Sequence, residues 1–119
     1  MVAMRVLVYE SNLMWSVRLS RALQALGHEA KVLTSSEAQA DADVAIVNLA
    51  ETGYDVGGLV VALGLLGVPT LGHAGHKEKN LHELGRKAGC TALATNGEIA
   101  HHLAAMLERA LVARVAPAQ

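Results

Sequence analysis

The residues able to do chemistry in this sequence collect at a few short places. Glu10 and Ser11 follow one apolar run, Asn48 ends another, His73-Ala74-Gly75-His76 follows a third and Thr95-Asn96 a fourth. A single carboxylate beside a hydroxyl and a carboxamide makes at best a weak site for a hard cation. Glu10 is therefore expected as a solvated carboxylate on a rim. His73 and His76 would supply no more than half of a metal site. No Cys or third ligand lies at a fitting spacing, and His101-His102 belong to another segment, whereas zinc needs three or four converging ligands. No metal and no cofactor is expected, and the histidines read as rim and surface side chains, some titrating near neutral pH. Cys90 reads as a small buried hydrophobe. Gly72-His73-Ala74-Gly75 lacks the Lys and hydroxyl of a phosphate loop, and Asp55-Val56-Gly57-Gly58 lacks the spacing of a dinucleotide fingerprint. Trp15 reads as core or rim packing.

The bulk properties narrow the class of protein. The chain has 119 residues, 52% of them hydrophobic and 18% charged, which excludes a disordered chain. A net charge of −1 excludes the global basic field of nucleic-acid binders. Cys90 has no second cysteine to pair with, and no signal-peptide pattern is present, so a cytoplasmic location is expected. The longest apolar run, 56–70, is short, glycine-containing and broken by Pro69, so no membrane span is expected.

The elements that must position those residues alternate along the chain. Strands are predicted at 5–9, 28–34, 43–48, 68–73 and 91–95, β-branched and compact. Between them, Trp15, Leu19, Ala22, Leu23 and Leu26 recur at helical spacing, with Asn12 as N-cap and Gly27 as stop. A short helix is predicted at 35–41, capped at Ser35 or Ser36. A third spans 55–67. A fourth spans 77–88, with Leu81, Leu84 and Ala88 on one face and Gly89 as its stop. Asn96 is expected to cap a last helix running to about 112, seated by Ile99, Leu103, Met106, Leu107 and Ala110. Five such units imply an α/β fold: a doubly wound five-stranded parallel sheet in a three-layer sandwich, with sites at the carboxyl ends of the strands. One domain is expected over 1–119, with its core at about 4–112 and a flexible tail at 113–119.

The run Met4 to Asn12, the strand 43–49 followed by Gly53-Tyr54-Asp55, the run Gly67 to Leu71 and Ala88-Gly89-Cys90 come in an order and spacing that resembles bacterial response-regulator receiver domains. That resemblance implies a flavodoxin-like (βα)5 fold and phosphoryl transfer to an Asp at the end of the third strand. The chemistry needs a carboxylate nucleophile, an acidic pair for Mg²⁺, and a hydroxyl and a Lys around the phosphoryl oxygens. In this sequence the matching positions are Asn48, Glu10 with Ser11, Ala74, and Asn96; the coupling aromatic is matched by Leu93. A carboxamide cannot form an acyl phosphate. The resemblance therefore implies a degenerate site, a pseudo-receiver, with no catalysis.

The expected function is a stand-alone interaction module of two-component signalling, docking to a histidine kinase, to another regulator or to itself. The alternative is a small module binding a small molecule or anion at a rim of Glu10, Ser11, Asn48, His73, His76 and Asn96. Residues 56–66 carry no charged or polar side chain. An all-apolar helix should be covered on both sides, so a homodimer through this helix is expected, with Val56, Leu59, Val60 and Leu63 as interface candidates.

Overall fold

The computed structural model describes residues 3–115. Five parallel strands form one sheet in the order β2-β1-β3-β4-β5. They are β1 (Arg5–Tyr9), β2 (Glu29–Leu33), β3 (Val44–Asn48), β4 (Thr70–Ala74) and β5 (Ala92–Thr95). The helices are α1 (Leu13–Ala25), α2 (Val56–Leu65), α3 (Lys79–Ala88), α4 (Asn96–His101) and α5 (Leu103–Val115). Each strand is 4 or 5 residues long. The central strands β1 and β3 are apolar on both faces because helices cover both. On one face Val6, Val8, Ile46 and Leu71 meet Leu19 and Leu23 of α1 and Leu103, Met106 and Leu107 of α5. On the other, Leu7, Tyr9, Ala45 and Val47 meet Val56, Leu59, Val60 and Leu63 of α2. This is the doubly wound three-layer sandwich expected from the alternation of runs.

The helix ends follow local chemistry. Asn12 caps α1 by accepting the Trp15 N–H at 3.1 Å, and Asp55 caps α2 by accepting the Gly58 N–H at 3.0 Å. Gly67 and Gly89, at φ 78° and 108°, close α2 and α3 in a left-handed conformation that a side chain would oppose.

Five expectations are corrected. Residues 35–41 form no helix. Tyr9 Oη donates to the Glu37 carbonyl at 2.7 Å and Lys31 Nζ to Gln39 Oε1 at 2.8 Å, which ties this segment irregularly across β1 and β2. So short a helix has too few internal bonds to compete. The cap of α4 is Thr95, in place of Asn96. The Thr95 hydroxyl accepts the Glu98 N–H at 3.1 Å and Glu98 accepts the Thr95 N–H at 2.9 Å, a reciprocal capping box. The last helical stretch is broken, because His102 leaves helical dihedrals at φ −134° and ψ 36°. It then runs on to Val115, through the start of the expected tail; residues 116–119 of that tail lie outside those described. In α3 the buried position is Gly85, while Leu84 is 40% exposed.

The fifth correction concerns α2. Val56, Leu59, Val60 and Leu63, the expected interface residues, are at most 5% exposed and pack on the sheet of their own chain. The outward apolar residues are Val61, Leu65 and Leu66, at 48%, 84% and 47% exposed. Among the described residues no helix is long and apolar enough to cross a membrane.

Candidate functional site

Parallel register brings the polar strand ends into one row. Tyr9 is level with Val47, so Glu10, next along the chain, comes level with Asn48. Asn48 pairs in register with His73, and His73 with Ala94. Side chains level in a parallel sheet share a face, and this row continues the core rows above it on the face that α1 covers.

Glu10 is 1% exposed, so the expectation of a solvated rim carboxylate is overturned. Its oxygens accept from Asn48 Nδ2 at 3.1 and 3.2 Å and from the Asn12 N–H at 3.1 Å. A buried carboxylate persists only with such donors. The Asn48 carbonyl oxygen accepts the Ala50 N–H at 3.0 Å, so both ends of the carboxamide are engaged.

His73 is likewise no rim side chain. It is 2% exposed, with its ring centroid 6.3 Å from that of Trp15. Its Nδ1 lies 2.8 Å from Asn96 Oδ1. An amide oxygen only accepts, so Nδ1 carries the proton and Nε2 is left a lone-pair acceptor. That Nε2 is buried without a hydrogen-bond partner among the described residues. Burial holds the His73 pKa below 6.5, against the opposing pull of the Asn96 hydrogen bond and the Glu10 charge.

The remaining expected residues are not drawn into this row. Ser11 is exposed and donates to Glu51 at 2.6 and 2.9 Å. Ala74 is fully buried at the end of β4 and offers only a methyl group. His76 is exposed in the following turn and shares no group with His73; His82, unforeseen from the sequence, closes that turn by donating Nε2–H to the Gly75 carbonyl at 3.0 Å. Sequence reading also missed Glu51 and Tyr54. The Tyr54 hydroxyl is pushed up to about 12 by burial and by the charges of Glu51 and Glu10. No spacing rule links Ser11 to Glu51, because the fold alone joins the two loops. Among the described residues no cluster of three or more His, Cys, Asp or Glu could hold a metal ion. Cys90 packs against the second core cluster and its thiol is pushed up to about 12 by burial, in keeping with a small hydrophobe.

No protein-family profile and no curated protein matches the sequence. Solved structures do match. The chemotaxis response regulator CheY4 of Vibrio cholerae superimposes with a TM-score of 0.77 at 18% identity, over 92% of this chain and 100% of that one. The signal receiver domain of a modulated diguanylate cyclase from Desulfovibrio desulfuricans G20 gives 0.79 at 15% identity, over 96% and 98%. NtrX from Brucella abortus gives 0.80 at 15% identity over 96% of this chain, which spans only 28% of the NtrX chain. With the strand order and the two-sided helical cover, these likenesses show that the chain has the receiver fold of two-component response regulators.

Proposed function

We propose that the protein is a pseudo-receiver: a non-catalytic signalling module of two-component type, acting by docking and not phosphorylated at the strand-end site. The observation that carries this reading is the engagement of Asn48. Its amide nitrogen is bonded to Glu10 and its oxygen to Ala50, and a carboxamide offers no anionic oxygen to a phosphoryl group. Ala74 supplies no hydroxyl, and Asn96 is turned to His73. The degenerate site is thus Glu10, Ser11, Asn48, Ala74 and Asn96. Incubation with acetyl phosphate and Mg²⁺, followed by intact-mass measurement, tests it. No added phosphate is expected, and a stable gain of one phosphate would refute the reading.

The partners in this reading are a histidine kinase or another regulator, in the cytoplasm, and a second copy of the chain. The second copy is placed on the outer face of α2, where Val61, Leu65 and Leu66 are exposed and no charge interrupts the helix. Such a face is its own complement under two-fold symmetry.

A second reading, a small molecule bound at the strand-end rim, draws support from His73 Nε2, a buried acceptor without a donor among the described residues. Glu10 beside it disfavours an anion. Native mass spectrometry after mild purification distinguishes the two, since a retained ligand favours the second.

A further inference from the structure

At the opposite end of the sheet from the strand-end row, a groove of about 480 Å³ opens beside α5, where β1 and β2 begin. Small-molecule pockets commonly span roughly 300–1,000 Å³. Met4, Leu107 and Leu111 form its apolar walls. Ala104 and Ala105, both solvent-facing on α5, leave the space that longer side chains would fill. Among the described residues that line it, His28 and Glu108 are the ones with polar side chains.

His28 is 6% exposed and held in one orientation. The Met4 N–H donates to its Nδ1 at 3.1 Å. A backbone N–H can only donate, so Nδ1 is the bare nitrogen and the neutral ring carries its proton on Nε2. Among the described residues the only buried side-chain polar atom without a partner is His73 Nε2. Among the described residues Nε2 of His28 has no hydrogen-bond partner, and His28 lines the groove. A fixed donor in an apolar wall, with Glu108 also lining the groove, is a recognition pattern.

We propose that this groove binds a small aromatic alcohol. The ring packs on Met4, Leu107 and Leu111; the hydroxyl oxygen accepts from His28 Nε2–H and keeps its own proton for Glu108. A carboxylic acid of the same shape meets the Glu108 charge. A plain hydrocarbon leaves the His28 donor unmatched, and a site with a buried donor discriminates against such an analogue. The proposal is independent of the phosphoryl chemistry discussed above.

The test is a titration of the full isotope-labelled chain with 2-naphthol, followed by NMR. Saturable shifts are expected at the methyl groups of Met4, Ala104, Ala105, Leu107 and Leu111 and at the His28 ring. Naphthalene should bind about tenfold more weakly. Ala105→Leu should weaken 2-naphthol binding by about tenfold or more with the melting temperature unchanged, and Ala104→Leu provides the same test should the first variant fold poorly. Ala113→Leu, further along α5 and also exposed, should bind as the unmodified chain does. Absence of saturable shifts up to the solubility limit, equal affinity for naphthalene, or binding untouched by filling the groove would each overturn the proposal.

Discussion

Asn48 donates its side-chain amide to both carboxylate oxygens of Glu10, at 3.1 and 3.2 Å, in a place sealed from solvent on the Glu10 side. Together with the Asn12 N–H, this neutral donor satisfies the buried carboxylate. The pair joins β1 to β3 at the end where a site in this fold is built.

Replacing that donor by a second carboxylate should therefore be harmful. Asn48→Asp removes the hydrogen bond and sets two acids against each other, which costs about 2–4 kcal/mol at pH 7. The loss should shrink in the double variant with Glu10→Gln, where a donor faces an acid again. Denaturant melts of the two variants check this. Neither should gain a phosphate efficiently from acetyl phosphate, because Ala74 and Asn96 still leave the phosphoryl group without its hydroxyl and Lys.

The same pair argues for indifference to Mg²⁺. With Glu10 already holding three donor contacts, a cation has little uncompensated charge to relieve. On the order of 10 mM Mg²⁺ should shift the melting temperature by less than about one degree. A shift of several degrees that disappears in Glu10→Gln would establish a cation site.

His73 gives the fold a pH dependence with a definite sign. Its folded pKa lies below the 6.5 of the free side chain, owing chiefly to burial. The unfolded chain thus binds the proton first as pH falls, and stability drops from about pH 6.5 downward until the folded pKa is reached. The slope should approach about 1.4 kcal/mol per pH unit in that window and vanish above it. His73→Gln should flatten this part of the stability profile; an unchanged profile would assign the slope to another group.

Two helical glycines should respond oppositely to alanine. A Cβ on Gly85 would lie 2.9 Å from both Leu49 Cδ1 and Leu93 Cδ2, so Gly85→Ala should destabilise by about 1–3 kcal/mol despite better helix propensity. A Cβ on Gly64 meets nothing within 4 Å, and Gly64→Ala should stabilise by about 0.5–1 kcal/mol. Thermal or denaturant unfolding of the two variants is the measurement.

The proposed dimer is probed best on the side chains that face outward. Leu65→Lys with Val61→Glu should yield monomers in sedimentation at micromolar concentration without loss of fold, since both positions are exposed. A monomeric unmodified chain would refute the homodimer. Val60→Lys and Leu63→Lys are no test of it, because both residues lie in the core.

Strand identity, sheet class and most helix positions were legible in the sequence, since compact β-branched runs such as 5–9 and 43–48 and the periodic run from Trp15 to Leu26 are local signals. So was the carboxamide at position 48, because residue type alone fixes that Asn48 carries no carboxylate wherever it points. Tertiary structure alone decided which side of each element faces in. With no polar residue on α2, its sequence cannot orient it, and only contact with the sheet put Val60 and Leu63 inside and Leu65 outside. The irregular path of 35–41 was likewise decided by distant partners, Tyr9 and Lys31. The burial of Glu10 and His73, and their pairing with Asn48 and Asn96, depend on strand register between residues 23 to 38 positions apart. Hydrogen bonds of that reach leave no mark in local spacing, because the sheet, and not the chain, makes those residues neighbours.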